Sequence, residues 1–178
     1  QTVSLPISFE ELDAKPNTLL TYHFWAEDLG PDSQPRRTDC DMCFIEVRHF
    51  EEIYKEGVGQ KVPQDGYPCW KILKQQKRVI NATWKVVRTK PKGDALGEDG
   101  LALQKSQEFV ILMIDEALKG ISDPVLRSIY LDSRKEMVTA MELLQRVAEH
   151  KEFAKLDQAM EHEQRAYERL MQALGREI

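Results

Sequence analysis

The spacing of apolar residues changes once along this chain, from every second residue to every third or fourth. Apolar and polar side chains alternate in three early runs, at residues 3–9, 19–27 and 42–50. Alternation with a period of two is typical of a half-buried strand. From Trp70 to Val87, and again towards the end of the chain, apolar residues recur at helical spacing instead. The sequence therefore predicts strands first and amphipathic helices afterwards.

The β-region is expected to be one short antiparallel sheet over residues 1–50. Pro6 places the first run at an edge of that sheet, because proline has no N–H to donate to a neighbouring strand. Residues 28–38 combine glycine, proline, aspartate and serine, which favours a loop between the second and third runs. Three strands are few for an isolated sheet, so we expect helices or another chain to cover its dry face.

Four helices are predicted after a linker over residues 51–69, with bounds near 70–89, 104–119, 124–149 and 153–175. Residues 92–100 are glycine-rich and are predicted as a loop, and Gly120 as a left-handed helix cap. The last two apolar stripes differ in phase around His150, which favours a tight turn and a helical hairpin over one continuous helix. The predicted fold class is α+β: a short antiparallel sheet, then packed helical hairpins over residues 70–178.

Composition excludes several classes of protein. Hydrophobic residues make up 42% of the chain and charged residues 31%, which is typical of a globular domain. The 25 basic and 30 acidic residues give a net charge of −5, which argues against a nucleic-acid partner. No apolar run is long enough to cross a bilayer. Because the chain begins at Gln1 and not at methionine, we expect a processed product or a piece of a larger protein.

Cysteine and histidine residues offer one tempting site, built from Cys40, Cys43, His23 and His49. A metal or redox site would need both sulfurs on one side, and residues three apart on a strand point to opposite faces. The third cysteine, Cys69, is isolated and completes no second pair. We therefore expect no catalytic residue, cofactor, metal site or small-molecule substrate, and keep a metal- or redox-dependent binder or enzyme as the alternative.

Acidic residues gather around the expected loop and could hold calcium through their oxygens: Glu27, Asp28, Asp32, Asp39 and Asp41. Their spacing matches no defined calcium-binding loop. Arg36 and Arg37 lie inside the same stretch and can neutralise the carboxylates. A solvated polar loop is favoured, and calcium binding over residues 27–41 stays open.

Two segments, Tyr22 to Pro31 and Asp41 to Phe50, resemble the closing strands of Ig-like domains in large bacterial cell-envelope proteins of unknown function. Residues 79–85 and 163–171 resemble the helical region of the same family. The resemblance implies a partial Ig-like β-region, a membrane-anchored parent protein, a periplasmic or envelope location and a scaffold role. It supplies no catalytic or ligand residues, and the pair of cysteines departs from the family's pattern.

The predicted function is a non-catalytic protein–protein interaction or scaffolding module of a bacterial envelope protein. Its partner would be another protein or a second copy, and a helical hairpin offers a groove for a partner peptide. Aromatic residues are the candidate interaction anchors: Trp25, Trp70, Trp84, Tyr130 and Tyr167. A further alternative is a cytoplasmic oligomerisation domain, coiled-coil-like, that self-associates through the last helix.

Overall fold

The computed structural model describes residues 4–48 and 67–177, in which four strands precede four helices. The strands are β1 (Leu19–Tyr22), β2 (Trp25–Leu29), β3 (Pro35–Asp39) and β4 (Cys43–Glu46). The helices are α1 (Pro68–Thr89), α2 (Asp94–Gly120), α3 (Pro124–His150) and α4 (Lys155–Glu177). The predicted α+β class, with helical hairpins after a small β-region, is confirmed.

The strands form two nested antiparallel pairs rather than one three-stranded sheet. β1 pairs with β4, and β2 pairs with β3. The inner pair closes through a turn in which the Gly30 N–H donates to the Gln34 carbonyl at 2.9 Å. We call this inner hairpin, residues 25–39, the arm, and the outer pair β1–β4 the base. The arm thus follows the base in two nested hairpins, with short breaks in the strands between them.

Three strand predictions need correction. Residues 4–9 form no strand within the described chain, because alternation identifies a face but supplies no backbone partner. The predicted loop over 28–38 becomes a strand at Pro35, which is allowed because the first residue of a strand need not donate to the ladder. The run over 19–27 is interrupted between β1 and β2. His49, Phe50 and residues 51–66 of the predicted linker lie outside the described residues.

The four helices pack around one another in chain order. α1 lies against α2 and α4, and α3 lies against the same two helices. The hairpin predicted from the phase break is confirmed: α3 ends at His150, and Lys151 adopts a left-handed conformation with φ of 56°. Observed bounds of α1, α3 and α4 fall within two residues of the predicted ones. Among the described helices, none has the length and apolarity that a membrane span requires.

The second helix begins at Asp94, well before the predicted start near residue 104, so the predicted loop over 92–100 is wrong for most of its length. Gly100 is buried in this helix, and a Cβ there would lie 2.7 Å from the backbone nitrogen of Ala148. The glycine therefore permits close approach of α2 and α3 instead of ending a helix. Gly120 also lacks the predicted left-handed conformation, since α2 ends there with Ile121 extended.

Apolar stripes of all four helices meet in a core that runs along the bundle. Its largest fully buried side chains include Ile80, Ile114, Tyr130, Met137 and Leu170. A smaller apolar cluster, which includes Val86, Leu96 and Leu144, is formed by the same four helices. Buried Met42, just before β4, and half-buried Phe44 in the base join the main core. The helices thus cover one face of the base, whereas the arm is left exposed.

Substituting alanine for Gly100 tests the close approach of α2 and α3. Gly100→Ala should lower the free energy of unfolding by about 1–3 kcal/mol, because the new methyl group overlaps backbone that cannot move alone. Gly120→Ala is the matched control: nothing lies within 4 Å of its Cβ position, so stability should stay equal or rise by up to about 1 kcal/mol. Urea denaturation measures both, and equal effects would contradict the packing role.

Candidate interaction surface

The arm is attached to the bundle at its root. The Arg88 guanidinium, near the end of α1, donates to the carbonyl oxygens of Asp39 at 2.8 Å and Cys40 at 2.9 Å. The ring of His23 lies against Trp84, with centroids 4.6 Å apart. Charge-assisted hydrogen bonds to backbone carbonyls are stronger than neutral ones and hold a segment in one orientation. α1 therefore determines where the arm leaves the bundle.

Beyond this root the arm is exposed along the whole of β2. Trp25 is 55% exposed and Leu29 72% exposed. Directly paired residues of antiparallel strands share a face, so the Glu27–Arg37 pair puts Arg37 beside these two side chains. Its guanidinium lies 4.6 Å from the centre of the Trp25 ring, a cation–π contact. We call Trp25, Leu29 and Arg37 the arm face.

Ion pairs set the charge of the arm. Arg37 donates to the Asp39 carboxylate at 2.7 Å, and this hydrogen bond lowers the pKa of Asp39 below its usual value. On the opposite face, Arg36 binds Asp28 at 2.9 Å. Two of the five carboxylates of the acidic loop, Asp28 and Asp39, thus have a guanidinium partner. The side of the arm that carries Trp25 and Leu29 also carries Glu27 between them, so it combines apolar and charged groups.

Contacts with the bundle distinguish the base from the exposed arm. The Tyr167 hydroxyl on α4 donates to the Glu46 carboxylate, and Arg48 binds the same group at 2.9 Å. Burial acts to raise the pKa of Glu46, but these hydrogen bonds bring it below its usual value. The Leu19 N–H donates to Glu168 at 3.0 Å, and the Lys77 ammonium lies 4.7 Å from the Phe44 ring centre. Both strands of the base are therefore tied to helices.

Only one of the five predicted anchors offers its side chain to a partner. Trp25 is exposed, whereas Tyr130 is fully buried and Tyr167 is 3% exposed. Trp70 and Trp84 are half-buried and pack against the main core. The fold divides the five residues into two groups, because four of the aromatic side chains lie in the core or pack against it. Only Trp25 fits the predicted role.

The tempting cysteine and histidine residues come only partly together. Cys40 precedes β4, so the expected opposite-face geometry does not apply: the thiols of Cys40 and Cys43 approach the same Asp41 carbonyl, at 3.0 and 3.8 Å. His23 lies 3.7 Å from Asp39. In the part of the chain that the structure describes, no three histidine, cysteine or acidic residues are grouped to hold a metal ion. His49, the fourth member of the alternative site, lies outside that part.

The third cysteine, Cys69, is buried, and its thiol is not accessible for a reaction. Cys69 is fully buried, its thiol donates to the Leu170 carbonyl at 3.0 Å, and burial raises the pKa of the thiol. The reactive form of cysteine is the thiolate, which this environment disfavours. Cys69 is therefore a core residue that joins the start of α1 to α4.

A buried polar cluster in the bundle was not predicted. The side-chain amides of Gln76 and Gln107 donate to each other at 3.2 and 3.0 Å, and Gln76 also donates to the Glu163 carbonyl at 3.3 Å. The Thr83 hydroxyl donates to one carboxyl oxygen of Glu163 at 2.8 Å. All four side chains are fully buried. We call these residues of α1, α2 and α4 the polar cluster.

Glu163 is the chemically unusual member of this cluster. Its second carboxyl oxygen has no hydrogen-bond partner among the described residues. Burial raises its pKa to about 8, because an ionised carboxylate loses its hydration there. Fully buried, the carboxyl group lacks the access that a substrate needs, so its effect is on stability. In the sequence, the one sign that Glu163 is buried is its position inside the apolar stripe of the last helix. For Leu29 and Arg37, the sequence contains no sign of a role in binding.

Comparisons with known proteins give no relative for this chain. No family model matches it, and neither the curated proteins nor the solved structures contain a significant match.

The two tryptophans beside the arm should differ in their contribution to folding. Trp84→Ala should lower the free energy of unfolding by roughly 2–4 kcal/mol, because it removes core contacts and the surface that His23 packs against. Trp25→Ala should lower it by less than about 1 kcal/mol, because its side chain is exposed. Chemical denaturation measures both. Similar losses would show that the arm is part of the cooperative core.

Glu163 should make stability depend on pH between about 4.5 and about 8. Its folded pKa is raised above the unfolded value, so its contribution is fully present below about 4.5 and is lost as pH rises through about 8. Glu163→Gln cannot ionise and should gain stability relative to the parent chain as pH increases from 5 to about 9. Urea denaturation of both chains across this range gives the difference. A constant difference would contradict a buried, neutral Glu163.

Proposed function

We propose that this chain is a non-catalytic protein-interaction module that binds a partner protein through the arm face. The exposed combination of Trp25, Leu29 and Arg37 carries the proposal. Tryptophan and arginine are the residue types most enriched among side chains that dominate binding energy at protein interfaces. The partner should offer an apolar pocket for the Trp25 indole, with a polar rim around Arg37.

The attachment of the arm supports this function. A binding element gives more affinity when it is held in its bound conformation before the partner arrives. Arg88 and Trp84 hold the root of the arm, and the paired strands hold its length. The exposed aromatic surface is therefore presented on a fixed ribbon instead of a loose loop.

Competing functions receive less support from the described residues. The thiols and His23 are engaged in contacts within the fold, without the three-ligand grouping that a metal site needs in the described chain. The last helix buries its apolar stripe, including Leu156, Tyr167 and Leu170, inside the bundle. Self-association through that stripe would compete with folding. A location in a bacterial envelope, a membrane-anchored parent and a scaffold role stay predictions.

A photo-activated cross-linking residue at position 29 tests the arm face in the cells that make the protein. Irradiation should join the chain to one defined partner, which is then purified and titrated with the parent chain by calorimetry. Trp25→Ala should weaken binding by about tenfold or more, because removing a central aromatic anchor typically costs about 2 kcal/mol or more.

Leu131 on α3 provides the control, because it is also an exposed leucine, 46% exposed against 72% for Leu29, and lies away from the arm. A cross-linker at position 131 should not trap the same partner, and Leu131→Ala should leave the affinity unchanged. Equal trapping at both positions, or full affinity with Trp25→Ala, would reject the arm face as the binding surface.

A further inference from the structure

The first helix has an unusual charge for a chain with a net charge of −5. α1 contains no acidic residue and six basic ones: Lys71, Lys74, Lys77, Arg78, Lys85 and Arg88. Two of them serve the β-region, since Lys77 lies over Phe44 and Arg88 binds the root of the arm. The other four are exposed. A large positive charge is therefore left on one helix.

The exposed cations share one side of α1. Lys71, Arg78 and Lys85 are separated by seven residues each, and Lys74 lies one turn from Arg78, so all four fall on one helical face. Elsewhere in the described chain most arginines form ion pairs, for example Arg134 with Asp115 and Arg146 with Glu152. No described acidic side chain pairs with any of the four. Their charge is available to a partner.

A groove runs beside this face, between α1 and α2. Its volume is about 490 Å³, within the range of pockets that take ligand-sized groups. Val79, Ala82 and Val110 form apolar parts of its wall, and Arg78 and Lys105 contribute positive charge. None of the residues that line it is acidic. The groove thus combines an apolar floor with a basic rim.

The second helix exposes apolar residues that the bundle does not use. Phe109, which lines the groove, is 56% exposed, Leu112 is 60% exposed and Leu101 is 45% exposed. Leu101 and Leu112 lie on the outward side of α2, beside the exposed Glu108 and Glu116, and do not line the groove. Phe109 is therefore the exposed apolar residue that α2 contributes to the groove.

We infer that the groove between α1 and α2 binds an acidic amphipathic helix of a partner protein. Its apolar residues would pack on Phe109 and the groove wall, and its carboxylates would face the unpaired cations of α1 and Lys105. A helix laid in a groove contacts it through one apolar face, with anchor residues three or four positions apart. This is a second surface of the interaction module proposed above, and its evidence is independent of the arm.

A nucleic acid is the other anionic partner that basic residues attract, but the apolar features argue against it. Phosphate recognition uses cations and hydrogen-bond donors along the backbone, and the apolar wall formed by Val79 and Val110 adds nothing to it. The acidic excess of the remaining chain would also repel an extended polyanion. A helix with both acidic and apolar residues matches both halves of the surface.

Designed peptides of about 20 residues, close to the length of α1, test this inference. One set carries glutamate on one face and leucine or phenylalanine on the other; a second set has the same composition with the two faces mixed. Fluorescence anisotropy should show binding of the amphipathic set. The double variant Arg78→Glu, Lys105→Glu should weaken it by about tenfold or more, and Phe109→Ala by about fivefold or more.

Matched variants away from the groove separate this surface from general charge effects. Lys135→Glu and Leu131→Ala change an exposed cation and an exposed apolar residue on α3, and should leave peptide affinity unchanged. Trp25→Ala should also bind the peptide normally, even if it loses the partner of the arm. Failure of the arm proposal and failure of this one are therefore distinguishable.

Three outcomes would overturn the inference. The first is no binding of any amphipathic peptide by the folded chain. The second is equal binding of the mixed-face peptides or of Phe109→Ala, which would show attraction by charge alone. The third is tighter, competing binding of a single-stranded oligonucleotide, which would show a nucleic-acid surface instead.

Discussion

The paired amides of Gln76 and Gln107 are the contact on which the outer surface of this protein depends. They link α1 to α2 inside an apolar core, where an unpaired amide would cost about 1–3 kcal/mol or more. Any sliding of α1 along α2 would break both hydrogen bonds and leave buried donors and acceptors without partners. Thr83 and Glu163 extend the same restriction to α4. The polar cluster therefore determines the register of α1. This arrangement buries the carboxyl group of Glu163, and burial favours its neutral form.

Both proposed binding surfaces depend on the position of α1. One face of the helix enters the core, and the end near Arg88 and Trp84 holds the arm. The face that carries Lys71 and Arg78 borders the groove beside α2. A rigid helix with three separate contacts can hold two binding surfaces in a constant relation. The proposed arm face and the proposed groove would then engage different features of a partner, or two partners.

Sequence patterns predicted the helices better than the strands, for a physical reason. The apolar stripe through Tyr130 and Leu144 follows from local helical periodicity, and packing against any neighbouring element buries it. The arm needed a pairing between Trp25 and Asp39, which alternation alone does not contain. Gly100 misled the prediction of α2 because glycine both ends helices and lets them touch, and only the position of Ala148 distinguishes the two. Of the candidate site, Trp25 was predicted, while its neighbours Leu29 and Arg37 were not.

The amino-acid sequence by itself determined the class of fold and the buried faces of α3 and α4, because the free energy of burying apolar side chains follows their spacing. Only the tertiary structure decided which aromatic residues remain free. The sequence does not distinguish the exposure of Trp25 from that of Trp84. In the folded chain, Trp25 is exposed to solvent, whereas Trp84 packs against the ring of His23. The tertiary structure also brought Arg78 of α1 and Phe109 of α2 to the same groove. The sequence does not determine how these two helices lie against each other. Exposure depends on what lies opposite a residue, and that is a property of the packed chain.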